Sequence, residues 1–249
     1  MLLRLPKSVS EAQECLSEGA VPIGGATLVW AAWQRDGFPD QAVSLRDVPE
    51  ANVVGHETLG AAVMLNQIGD PLPEVLRRAA ASVGTGAVRR TATVGGNLVG
   101  STLRCLLPPA LVLDARCTVL GARSLYETDL AEVVAKRHVL LSLHWKEPIA
   151  SGYRKLSGEA GGEPPLVVAT ALHADDEGGR TRLRVAVRDG YEVISDSTVY
   201  DADGDPDTEQ VLDALRGTEI GSLHTTAWDV IGEEVTTLMA RSGGRNPRE

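Results

Sequence analysis

Two adjacent glycine pairs close apolar, β-prone stretches of the chain: Ile23-Gly24-Gly25-Ala26-Thr27-Leu28 and Thr93-Val94-Gly95-Gly96-Asn97-Leu98. Each pair presents consecutive backbone N–H groups with no Cβ to hold a ligand off. Clustered N–H groups at a turn or a helix N-terminus form an anion site, so such loops can cradle a diphosphate. A single pair is an ordinary turn in most chains. Two on one chain point to a dinucleotide gripped from both sides.

The surrounding pattern places these loops between regular elements. Ser8-Val9-Ser10-Glu11 reads as a capping box ahead of an amphipathic run through Leu16, stopped at Gly19. A short strand over 20–23 enters the first loop, a helix is expected over 26–34, and a strand over 41–45. This β–loop–α–β order resembles a small nucleotide-binding unit, although no Gly-x-Gly-x-x-Gly follows the strand. A strand pair is expected over 52–64, broken at His56-Glu57. Helices follow over 71–82 and 106–113, with strands over 117–120 and 138–145. A boundary falls near Lys146-Glu147-Pro148. Beyond it, three or four antiparallel strands are expected, over 151–156, 166–173, 181–187 and 193–199, then helices over 208–215 and 225–240. Residues 242–249 read as a disordered tail. Asp201 to Asp207 reads as an acidic turn capping the next helix rather than a calcium loop, because its glycine sits too early and Pro206 interrupts it.

Composition narrows the class of partner. A formal charge of -10 argues against nucleic acid or an anionic membrane. No stretch approaches a membrane span, and no secretory signal is read at the start, so a cytoplasmic location is expected. Cys15, Cys105 and Cys117 have no metal spacing and are expected to be buried, reduced thiols; the five histidines form no ligand pair. Hydrolase chemistry finds no support in the spacing of nucleophiles, bases or carboxylates.

The two loops, with what surrounds them, resemble the FAD-binding medium subunit of molybdenum hydroxylases, the family of xanthine dehydrogenase and carbon monoxide dehydrogenase. Thr93-Val94-Gly95-Gly96-Asn97 is similar to that family's Thr-Ile-Gly-Gly-Asn/Asp loop. Ala80-Ala81-Ser82-Val83-Gly84 with Val88-Arg89 resembles its lead-in, and Leu59 to Asn66 its Ile-Gly-Ala strand and turn. Gly152-Tyr153-Arg154-Lys155-Leu156 resembles the opening of the family's C-terminal domain, with Glu209, Leu212 and Gly217 in its helix. The resemblance implies an α+β chain. Residues 1–146 would form a two-subdomain FAD-binding domain of the vanillyl-alcohol-oxidase/PCMH type, divided at about residue 50. Residues 147–241 would form a C-terminal domain of antiparallel sheet and helices. It implies FAD as cofactor, with Ile23, Gly24, Gly25, Ala26, Thr27 and Leu28 on one side and Thr93, Gly95, Gly96 and Asn97 on the other. Thr27 and Thr93 would add hydroxyl donors or cap their loops.

The chain departs from the family after the second loop. Where members carry acidic residues, it has Ser101, Thr102 and Arg104, which are expected to substitute at the flavin side. The segment 121–138 is short, leaving Tyr126 and Leu130 as candidates to approach the ring system. Lys155, with Tyr153, is a further candidate for contact with the ring, or part of an exposed strand pair. The implied function is an FAD-binding oxidoreductase subunit that passes electrons between iron–sulfur and molybdopterin partner subunits and a small-molecule acceptor. A stand-alone FAD-dependent oxidoreductase, or a binding module that has lost its flavin, remains open on the sequence.

Overall fold

The computed structural model describes residues 1–158, 162–175, 178–201 and 207–243. It is a mixed α/β structure that divides into two compact units. The first comprises 1–72, 79–106 and 115–146; the second comprises 73–78, 107–114 and the chain from Glu147 onward.

The first unit opens with β1 (Leu2–Arg4), α1 (Val9–Ser17), β2 (Val21–Pro22), α2 (Val29–Asp36) and β3 (Gln41–Val43). β1 and β2 flank β3 in a parallel three-stranded sheet. Ser8 Oγ accepts the Glu11 N–H, and Glu11 reaches back to the Lys7 N–H, so α1 starts where the capping signal lies. Its buried face supplies Ala12, against Val48, Ala51, Leu120 and Leu141, and Cys15, against Ala20 and Val43. Gly19 takes φ 85° beyond its end, a left-handed turn that glycine adopts without penalty. β1 has no sequence signal of its own. It is a three-residue edge strand created by its pairing with β3.

β4 (Val54–Gly55), β5 (Thr58–Gly60), α3 (Glu74–Ala81), α4 (Gly86–Arg89), α5 (Leu107–Val112), β6 (Arg116–Leu120), β7 (Leu125–Asp129), α6 (Leu130–Lys136) and β8 (Leu140–His144) follow. The strands form an antiparallel five-stranded sheet in the order β4-β5-β8-β6-β7. β7 and α6 occupy the short segment 121–138. A legible signal was present there: Asp129 caps α6 by accepting the Glu132 N–H at 2.7 Å.

In the second unit β9 (Ala150–Lys155), β10 (Val167–Ala174), β11 (Arg180–Asp189) and β12 (Glu192–Asp201) form an antiparallel meander. Val168, Leu172, Leu183, Val185 and Val187 bury against α7 (Thr208–Arg216) and α8 (Thr225–Gly243), through Val211, Leu215, Ile231 and Val235 among others. Alternate residues Val167, Ala169 and Ala171 are buried too, because α5 packs against β10 to β12. His173 Nε2 hydrogen-bonds Val112 O at 2.8 Å, and Arg184 pairs with Asp114. α5 therefore clusters with the second unit although it precedes the break near Lys146. Asp207 caps α7 through the Glu209 N–H; 202–206 and 244–249, where the acidic turn and the tail were expected, lie outside the described residues. No helix among the described residues is long and apolar enough to cross a membrane. Cys15, Cys105 and Cys117 are buried thiols outside any disulfide.

Candidate functional site

β2 ends with the Ile23 N–H donating to Val43 O at 2.9 Å. The next five N–H groups, Gly24 to Leu28, have no hydrogen-bond partner among the described residues. Ala26 takes φ 56°, the left-handed region that a non-glycine residue enters at a cost of about 1–2 kcal/mol. That turn sets α2 starting at Val29 rather than at 26, with Leu28 as an N-cap that makes no side-chain hydrogen bond. The result is a run of unsatisfied donors leading into a helix N-terminus.

The second loop is built differently. Segment 61–65 pairs antiparallel with 92–95: Leu65 N–H donates to Ala92 O, Val94 N–H to Val63 O and Gly95 N–H to Ala61 O. The Gly96 N–H is taken by Thr93 Oγ1 at 3.1 Å. Asn97 is buried, and its Oδ1 accepts the Leu106 N–H at 2.8 Å, tying down the far end of the segment that follows the loop. Arg89 caps the lead-in by donating to Val83 O and Gly84 O, both at 3.0 Å. The two glycine pairs are thus unlike in chemistry: the first offers amides, and the second has its glycine amides engaged internally.

They are nevertheless brought together. A Cβ on Gly25 would fall on the Thr91 carbonyl, and one on Gly24 on Thr93 Oγ1. Gly95 would meet Ala61 Cβ at 3.1 Å. The first loop therefore lies directly against 91–93, and glycine is required for that approach.

Both loops line one cleft of about 840 Å3, built entirely from residues of the first unit. Ile23, Gly24, Gly25, Ala26, Thr27, Leu28, Thr93, Gly95, Gly96, Asn97 and Ser101 all line it. Residues that the sequence reading did not single out join them: Trp30 from α2, Arg46, Asp47, Arg90, Arg137 and His138. Arg46 lies 4.0 Å from Asp47. Arg90 and Arg137 make no ion pair or hydrogen bond from their side chains among the described residues. Arg137 is the left-handed residue, φ 53°, that ends α6. Arg90 was legible as the residue after the Val88-Arg89 lead-in. Arg137 was not, because its place depends on α6.

Other expected site residues fall outside this cleft. Thr102 and Arg104 do not line the cleft. The chain turns away after Ser101, whose Oγ accepts the Leu103 N–H, and Arg104 takes φ 39°. Tyr126, on β7, meets His138 edge-on, and Leu130 is buried at the start of α6; neither lines the cleft. Lys155 is exposed near the end of β9 in the second unit, while Tyr153 is buried in the same strand. The pair is therefore not an exposed one.

The sequence profile of one family, described as the FAD binding domain in molybdopterin dehydrogenase, matches residues 3–141. Comparison with curated proteins gave no match.

Proposed function

The chain belongs to the family of FAD-binding domains of molybdopterin dehydrogenase, with FAD as its cofactor, and from that premise we propose that it is the flavoprotein subunit of a molybdopterin-dependent oxidoreductase. The observation that carries the proposal is the run of five N–H groups from Gly24 to Leu28 that have no partner among the described residues, in a cleft that Arg90 and Arg137 also line. A diphosphate carries two negative charges and needs several oriented donors, and these groups supply both kinds of recognition. The cleft volume lies within the roughly 300–1,000 Å3 of small-molecule and cofactor sites. The residues present therefore fit the group.

In this reading the amides of Gly24, Gly25, Ala26, Thr27 and Leu28 bind the diphosphate, and the Thr27 hydroxyl adds a donor. Ile23 fixes the loop to β3. Thr93 stands at the loop seam: its oxygen accepts from Gly96, leaving its hydroxyl proton to donate into the cleft. Gly95 and Gly96 form a close wall rather than a donor set. Asn97 holds 97–106 in shape, and Ser101 lines the far side. FAD, when bound, supplies reversible electron storage between one-electron and two-electron partners. The proposal assigns the iron–sulfur clusters and molybdopterin to partner subunits. In this reading residues 1–146 form a two-subdomain fold of the PCMH type. A small molecule would be the electron acceptor.

The test is an absorbance spectrum of the purified chain before and after FAD addition, followed by gel filtration. Flavin bands that co-elute with protein support the reading, and co-purified iron–sulfur and molybdopterin chains extend it to the complex. Colourless protein that ignores FAD refutes it. Flavin retention with substrate turnover by the isolated chain would favour the stand-alone flavoenzyme.

A further inference from the structure

We propose that Trp30 is the stacking platform for a planar heteroaromatic ring of the bound dinucleotide, held in place by Phe38; this rests on the dinucleotide reading of the cleft. The chain has one Phe and four Trp, and that Phe with two of the Trp lies on or just beyond α2. No residue of α2 is buried. Trp30 is 48% exposed and Phe38 43%. An aromatic side chain left in water forgoes most of its burial energy, so this cluster has no core to explain it.

Its geometry is nonetheless ordered. Phe38 meets Trp30 edge-to-face with ring centroids 5.3 Å apart, and meets Trp33 the same way at 6.2 Å. Gly37, at φ 100°, folds the chain so that Phe38 returns to the helix it follows. The Trp30 N–H donates to Ala26 O at 3.1 Å, which ties its backbone to the loop carrying the free amides. Of the three rings, Trp30 lines the cleft, and Trp33 and Phe38 do not. Exposed Leu3, Leu28 and Met64 line it as well. An anion-binding turn followed within one helical turn by an oriented indole matches a ligand that carries a flat ring on a diphosphate. The π-face of either ring, adenine or flavin, satisfies this chemistry.

The test titrates FAD, ADP and FMN into wild type, Trp30→Ala and Trp30→Phe, followed by flavin fluorescence and calorimetry, with thermal melts in parallel. Trp30→Ala is expected to melt like wild type and to weaken FAD by about 5- to 150-fold, with Trp30→Phe restoring most of the loss. A matching loss for ADP alone assigns the adenine to Trp30; a loss for FMN alone assigns the flavin. Unchanged affinity for all three ligands in Trp30→Ala overturns the inference and leaves FAD binding standing, and α2 would then be a protein-contact face. Wild type that binds no FAD overturns both readings.

Discussion

Replacing Gly25 by Ala tests the joint between the two loops. The added methyl group would overlap the Thr91 carbonyl and stand 3.0 Å from Ala92 N. Both are backbone atoms, held by α4 behind them and by the Leu65–Ala92 hydrogen bond. They cannot rotate away as a side-chain tip would, so the first loop must move. Overpacking of this kind costs about 1–3 kcal/mol, a fall in Tm of roughly 2–12 °C for a chain of this size. Binding suffers separately. A donor carried beyond about 3.5 Å from an anionic oxygen no longer bonds it, and each charge-assisted bond contributes about 1.5–3 kcal/mol. Losing two of the five amides costs about 3–6 kcal/mol, or roughly 150- to 20,000-fold in Kd. Gly69→Ala is the control, since its Cβ would meet nothing within 4 Å and it lies outside the cleft. Flavin fluorescence titration with differential scanning fluorimetry measures both quantities. A folded Gly25→Ala protein that binds FAD as tightly as Gly69→Ala would refute the assignment of the first loop to the diphosphate.

Ala26→Gly removes the left-handed strain while keeping the amide; Tm should rise by roughly 1–4 °C with FAD affinity unchanged, and a lower Tm would contradict the strain argument. Burial holds the His173 imidazole below its ordinary value of 6.5, against the opposing effect of its bond to Val112 O. As pH falls through 6.5, the unfolded chain takes up this proton before the folded one does, so stability is present above 6.5 and declines below it, by at most about 1.4 kcal/mol per pH unit from this group. Denaturant melts from pH 7.5 to 5.5 should show that decline, flattened in His173→Gln; an identical slope in the variant would exclude His173. Burial, with Asp129 adding to it, pushes the Cys117 thiol up to about 12. Native protein at pH 8 should leave its three buried thiols unreactive to a disulfide reagent, with all three titrating in guanidinium; fast native labelling would contradict their burial.

Local chemistry was legible in the sequence where one residue decides an outcome. Ser8 with Glu11 fixed the start of α1, Gly19 its end, and turn signals at Gly161-Gly162, 175–179 and Asp189-Gly190 separated β9 to β12. The glycine pairs marked the loops, because the absence of a Cβ is a property of the residue alone. Elements without such signals escaped: β1 and β7 are edge strands that exist through pairing with β3 and β6, and residues 26–28 lost their expected helix to the left-handed turn at Ala26.

The functional asymmetry of the two loops is a different kind of fact. Both sequences offer glycine amides, but those of Gly95 and Gly96 are consumed by Ala61 O and Thr93 Oγ1, whereas those from Gly24 to Leu28 have no partner among the described residues. Arg104, next to the second loop in sequence, stays out of the cleft, while Arg137 and Trp30, far from it in sequence, enter. The sequence by itself determined where backbone could approach closely and which segments could be helix or strand. Tertiary structure alone decided which donors stay unsatisfied and which charges and rings share a cavity, because hydrogen-bond partners and neighbours across a cleft come from segments whose separation no local pattern records.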